Sequence, residues 1–262
     1  MIMNIKYTLG AIISIPLLPL LYLQGKKIRK TVPKLPEATG IEGKVTTGSS
    51  KSFQLITIGE STIAGVGAST HETAFTGTLA TTLAEKIEAD ISWKVYAKSG
   101  YTTKRVTEKI IKHIVETPVD LIVIGLGGND SFTLNSPKGW NQDIRALIAR
   151  IRQSYPNPPI VFINMPPIKE FTAFTGPIKF VIGNLVIHLG KELQKVVKDY
   201  ENVHYYAKEL KYDDMISRLQ VDAKPSDFFS DGVHPSELAY QIWAKDVANF
   251  IMAQNILKSH AV

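Results

Sequence analysis

From residue 53 to residue 256 the sequence alternates two kinds of segment, and this alternation limits the fold more than any other feature. Short apolar runs suited to buried strands are followed by longer stretches whose apolar residues recur at helical spacing. "FQLITIG" (53–59), "ISWKVYA" (91–97), "VDLIVIGLGG" (119–128), "PIVFINM" (159–165) and the weaker "NVHYYA" (202–207) read as strands. The spacing predicts helices over 73–89, 102–116, about 139–153, about 178–199 and 235–256, the last with Pro235 near its start. Strands joined by helical crossovers run parallel, and the helices cover both faces of the sheet. The expected fold is α/β: a three-layer α/β/α sandwich on a mostly parallel, flavodoxin-like five-stranded sheet. The run 119–128 is the most apolar and is expected at its centre. Ligands of such sheets bind beyond the carboxyl ends of the strands.

Ahead of this unit lies "YTLGAIISIPLLPLLYLQG" (7–25), an uncharged apolar stretch interrupted by Pro16 and Pro19 and followed by "KKIRK". Its length is at the lower limit for crossing a bilayer. A cleaved secretory signal, an uncleaved anchor and a buried domain helix compete for it. A signal needs a small-x-small cleavage site, which "LYLQGKK" does not offer. The basic flank argues against burial, so residues 1–30 are expected to be a membrane segment that spans the bilayer or lies in one leaflet. By the positive-inside rule the domain is expected on the cytoplasmic rather than the periplasmic side. Residues 31–50, rich in Pro, Gly, Ser and Thr, read as a linker, and 51–258 as one catalytic-sized domain.

Charge agrees with this division. Five of the 30 Lys and Arg residues fall within the first 30 positions, which contain no acid; the remainder is nearly balanced against the 24 acidic residues. A nucleic-acid binder would carry its excess on the folded domain. Nucleic acid is therefore not expected as a partner, and a membrane surface is. The absence of cysteine excludes disulfides, thiolate metal sites and a cysteine nucleophile.

Several α/β chemistries lack their motifs. There is no phosphate-cradling P-loop, and "GLGGND" puts Asp130 where a dinucleotide fingerprint needs its third glycine. "GESTIAG" is not G-x-S-x-G, because Ile63 takes the second glycine's place. No H-E-x-x-H zinc pair occurs. His71, His113, His188, His204 and His260 have no acid at a catalytic spacing and read as surface or satisfied helix residues. His234 differs: "SDGVHPSELAY" places Asp231 three residues before it in a Gly-containing turn. A carboxylate on one ring nitrogen fixes the tautomer and leaves the other as a base toward a hydroxyl. The same residues could equally form only the turn and cap the last helix, Asp231 and Ser230 being suited to both. In "LITIGESTIAGVG" (55–67) the first strand ends in Gly59-Glu60-Ser61. This is either an ordinary corner or a backbone shaped to present Ser61 as a nucleophile, with glycines where backbone must approach substrate closely.

Together these fragments resemble the SGNH subgroup of the GDSL esterase/lipase family over about residues 53–256. Gly59-Glu60-Ser61 through Gly65 matches its first block, Gly100 in "AKSGYTT" the second, Gly127-Gly128-Asn129-Asp130 the third, and Asp231-Gly232-Val233-His234 the last. The resemblance implies a serine ester hydrolase (hydrolase, esterase or lipase type) without metal or cofactor. Ser61 is its nucleophile, His234 the base and Asp231 its partner. The Ser61 and Gly100 N–H groups and the Asn129 side chain form an oxyanion hole. One departure stands out: the family's usual aspartate before the nucleophile is Glu60, which puts the loop geometry in question. A membrane-tethered binding protein of the same fold, a carbohydrate acetylesterase and a thioesterase are the alternatives. A lipid-like or small acyl ester is the expected substrate. Phe171, Phe174, Phe180, Phe228 and Phe229 are expected to line an acyl pocket, dip into lipid, or simply pack.

Overall fold

The computed structural model describes residues 5–219 and 223–257. His260 and the last residue of the expected domain, 258, lie outside them. In chain order the elements are α1 (Ile5–Ser14), a 3-10 turn (Ile15–Leu17), α2 (Leu18–Thr31), β1 (Glu42–Val45), β2 (Ser52–Gly59), α3 (Phe75–Ile87), β3 (Asp90–Ala97) and α4 (Thr103–Lys109). There follow β4 (Leu121–Gly125), α5 (Gly128–Phe132), α6 (Pro137–Ser154), β5 (Ile160–Phe162), α7 (Gly176–Val197), β6 (Val203–Tyr205), α8 (Tyr212–Leu219) and α9 (Glu237–Ala253).

The sheet order is β1-β3-β2-β4-β5-β6. The last five strands are mutually parallel, the arrangement the alternation predicts, and β4, buried at every position, lies between β2 and β5. Side chains of successive residues go to opposite faces. Leu55, Ile91, Trp93, Leu121 and Val123 enter one core with α3 and α9. Ile56, Ile58, Ile122, Ile124 and Phe162 enter the other, whose helical side chains come from α4, α6 and α7. Each fully buried Ile, Leu or Phe contributes about 1.5–3 kcal/mol of transfer free energy, so these two faces hold the three layers together.

The helix expected over 102–116 ends at Lys109 and is followed only by a 3-10 turn, Ile111–His113, and two stretches read as irregular contain further elements. Residues 42–45, inside the stretch read as a linker, form an antiparallel edge strand whose partners include Lys94 and Ile91. That strand buries no residue, so no apolar run announces it. It is joined to β3 by the ion pairs Lys94–Glu42 (2.9 Å) and Lys44–Asp90 (3.1 Å). The irregular stretch after β6 contains α8, which buries Tyr212 and Met215 in a third apolar cluster. This cluster, with Ile168, Phe171, Ile178, Phe228 and Phe229, packs beside the last turn rather than under the sheet.

The N-terminal helix is the one described helix long and apolar enough to cross a membrane, over Tyr7–Ile28. It lies against the domain. Tyr7 meets the His188 ring edge-on at 5.8 Å, Thr175 Oγ1 donates to Gln24 Oε1 at 2.7 Å, and Leu17, Leu21 and Ile28 pack on the third cluster.

Candidate active site

The carboxyl ends of β2, β3 and β4 carry the loops singled out from sequence. The glycines that end β2 and β4 have a packing reason rather than the expected approach to substrate. Gly59 and Gly125 are register partners, and Ile63 from the turn after β2 folds over both; a Cβ on Gly125 would lie 2.7 Å from Ile63 Cγ1. Gly65 and Gly67 have φ of +70° and +101°, which side chains with a Cβ rarely adopt.

Glu60 is the hub of the three loops. Its carboxylate, 5% exposed, accepts the N–H of Gly128 (2.7 Å) and of Asn129 (2.8 Å), and also the Asn129 side-chain amide. Asn129 Nδ2 donates as well to the carbonyl of Tyr101 at 3.2 Å, next to Gly100. The Glu60 carboxylate thus ties the first loop to the third, and the Asn129 amide extends the link to the loop that carries Gly100. Burial pushes the Glu60 carboxyl up to about 7, the Asp130 charge adds to the rise, and the donors from Asn129 and Gly128 oppose it. Asp130 itself caps α4 from across the sheet edge. Its Oδ2 accepts the N–H and the hydroxyl of Thr103, both at 2.9 Å. Glu37, from the segment before β1, accepts the Ser99 N–H at 2.8 Å and braces the loop that carries Gly100.

The turn before α9 builds the second half of the site. His234 Nδ1 lies 2.7 Å from Asp231 Oδ2, while Asp231 Oδ1 accepts the N–H of His234 (2.7 Å) and of Val233 (2.9 Å). Burial alone would raise the Asp231 carboxyl; the hydrogen bonds from the His234 ring and from these N–H groups hold it below the usual carboxylate range. Asp231 does form the turn, accepting the Val233 N–H two residues on, but neither it nor Ser230 caps the helix. Ser236 caps α9, accepting from the Ala239 N–H at 3.3 Å.

Three contacts fasten this turn to the loop bearing Ser61. Ser230 Oγ donates to the Gly67 carbonyl at 2.9 Å, Tyr240 Oη donates to the Val66 carbonyl at 2.8 Å, and Gly67 packs against Pro235 so closely that a Cβ there would lie 2.7 Å from Ser230 Oγ. A small apolar cavity of about 20 Å³ lies beneath, with Thr62, Val233, Pro235 and Trp243 in its lining. Among the described residues no hydrogen bond joins Ser61 Oγ to His234, and no protein acceptor takes the N–H of Ser61 or of Gly100. A Cβ on Gly100 would meet open space. Those two N–H groups are free to receive a ligand oxygen, whereas both protons of the Asn129 amide are engaged.

The aromatic candidates flank the site without forming an open pocket, Phe171 being part of the lining of that small cavity. Phe171, Phe228 and Phe229 are buried in the third cluster, so they are core; Phe174 is half-buried and Phe180 is 49% exposed. His71 is not a surface residue. It is buried under Gly65, its imidazole is lowered to about 4 by that burial, and its Nδ1 has no hydrogen-bond partner. Sequence reasoning missed Ser230, Tyr240 and Glu37, whose roles depend on long-range partners that no local pattern signals.

Residues 57–242 match the GDSL-like Lipase/Acylhydrolase family, and the chain belongs to that family. No curated protein matches it in sequence. Its fold is similar to that of the lipase Lip_vut3 from a goat rumen metagenome, with a TM-score of 0.53, 17% identity, and 75% of this chain and 96% of that one covered. It is similar also to a Clostridium thermocellum family 3 carbohydrate esterase, with a TM-score of 0.58, 18% identity, and 81% and 100% covered. A third likeness is to the native M. smegmatis aryl esterase, with a TM-score of 0.52, 17% identity, and 77% and 99% covered.

Proposed function

We propose that this chain is a serine ester hydrolase that cleaves a carboxylic ester through an acyl-enzyme. Ser61 Oγ attacks the ester carbonyl while His234 Nε2 takes its proton; the alkoxide then leaves with that proton, and water repeats the sequence to release the acid. Asp231 holds the imidazole with Nδ1 protonated. The Ser61 and Gly100 N–H groups receive the developing oxyanion, each such donor contributing roughly 3–4 kcal/mol. Asn129 joins them by exchanging its longer bond, to the Tyr101 carbonyl, for the substrate oxygen.

The observation that carries this reading is the Asp231–His234 pair on a turn fastened to the Ser61 loop through Ser230 and Gly67. Catalytic hydrogen bonds are often long or unformed before substrate binds, so the lack of a Ser61–His234 hydrogen bond does not count against it. The engaged Asn129 amide favours a second reading, a tethered binding protein that keeps the fold. Hydrolysis of short and long p-nitrophenyl esters by wild type and Ser61→Ala separates the two. An enzyme loses several orders of magnitude on substitution; equal, background-level rates in both proteins favour the binding reading. Carbohydrate acetyl esters and thioesters belong in the same panel, the structural likeness to a carbohydrate esterase being one reason to include them. The basic run after the apolar segment favours a cytoplasmic domain, and digestion by protease added outside intact cells would contradict that side.

A further inference from the structure

The N-terminal helix presents its faces in the reverse of the usual order. Its partly shielded positions include Tyr7, Gly10, Ser14, Leu17, Leu21, Gln24 and Ile28, a stripe at heptad spacing turned toward the domain, with Thr8 and Gly25 beside it. Gly10, Ser14 and Gln24 make that stripe the more polar one. Large apolar side chains point outward instead: Ile12, Ile13, Ile15, Tyr22 and Leu23 are each more than half exposed. A surface helix of a water-soluble protein does the opposite.

The same helix is held at both ends. Gln24 meets Thr175 just before α7, and Tyr7 meets His188 more than halfway along it, so the two helices run antiparallel side by side. Tyr7 and Ile28 are ~32 Å apart along a straight helix, enough to cross a hydrocarbon core. Crossing in this arrangement would draw α7 in as well. Lys179 sits on the stretch of α7 between Thr175 and His188 that runs alongside the helix, and lysine at bilayer depth is strongly unfavourable. The helix therefore spans only by leaving the domain. Lys26, Lys27 and Lys30 are exposed at its end, where they face acidic headgroups if it lies flat. Phe132, 42% exposed beside the Asn129 loop, stacks edge-on with Phe174, and Phe174 packs on the same cluster as Leu17, Leu21 and Ile28. Apolar surface thus runs from the helix to the rim of the candidate site.

We propose that the N-terminal helix lies flat in the interface of an anionic bilayer, still clamped to α7, its outward apolar face in the acyl region. The site then opens at the lipid surface and takes its ester from the leaflet, a conclusion that rests on the hydrolase reading; the docking itself does not.

The cysteine-free chain allows a direct test with full-length protein. On vesicles of mixed phosphatidylglycerol and phosphatidylcholine, Tyr7→Cys with His188→Cys should be bridged within one chain by a short bis-maleimide, because the helix stays on α7. The wild type should cosediment with these vesicles more strongly than with phosphatidylcholine alone. Replacing outward Ile12 and Leu23 together by lysine should weaken binding by about tenfold or more. That variant should also lose hydrolysis of a vesicle-embedded ester while keeping that of a soluble short-chain ester. A cross-link that forms in detergent but not on vesicles would overturn the proposal in favour of spanning. A cross-link between two chains would overturn it in favour of self-association. If neither ester is cleaved, the hydrolase reading fails, while cross-linking and cosedimentation still decide the docking.

Discussion

Glu60 offers the sharpest quantitative prediction. It is buried, and three donors from Gly128 and Asn129 converge on it. Its carboxyl is pushed from the ordinary 4.5 up to about 7, chiefly by burial. The folded protein therefore keeps the proton over a range in which the unfolded chain has already lost it. Between pH 4.5 and about 7 the unfolded state binds fewer protons, so stability falls as pH rises and then levels off. At 1.36 kcal/mol per pH unit the loss amounts to about 3 kcal/mol. Glu60→Gln cannot titrate, and other carboxylates contribute alike to both proteins. Urea unfolding of each across this range, in nonionic detergent to hold the N-terminal helix, isolates the effect. The wild type should lose about 3 kcal/mol relative to Glu60→Gln. A flat difference would refute the reasoning. A wild type that gains on the variant as pH rises would show that the three donors outweigh desolvation.

Other positions give further expectations. Asp231→Asn keeps an acceptor for the Val233 and His234 N–H groups but turns an amide donor toward His234 Nδ1, which forces the wrong tautomer. kcat for a soluble ester should drop by about 10⁴-fold with little change in Tm. Gly67→Ala strains a φ of +101° and pushes a methyl against Pro235 and Ser230; chemical denaturation should register at least roughly 1–3 kcal/mol from the backbone alone, with activity falling as the two loops separate. Tyr240→Phe leaves the buried Val66 carbonyl without its donor and should cost about 1–3 kcal/mol in the same measurement.

Period and composition made the sandwich legible. Buried parallel strands are short and continuously apolar, so β2, β4 and β5 announce themselves, whereas β1 is an edge strand of exposed and half-exposed residues held by ion pairs. The four site fragments were legible because each is local: Asp231 reaches His234 within one turn, and Ser61 follows its strand directly. What joins the fragments was not legible. Ser230 to Gly67, Glu60 to Asn129 and Glu37 to Ser99 each span more than 60 residues, and a single sequence carries no pattern for such pairings. For Phe228 and Phe229 the sequence leaves pocket and packing open. α8, hidden in a polar-looking stretch, brings Tyr212 over them and makes them core.

The central claim is that Ser61 is a nucleophile activated by His234, and a fluorophosphonate tests it without knowledge of the natural substrate. The serine oxygen displaces fluoride from phosphorus, and intact mass with peptide mapping locates the adduct. Wild type should take one label, on Ser61, and His234→Gln should label orders of magnitude more slowly. A wild type that stays unlabelled, or carries its adduct on another serine, would contradict the account.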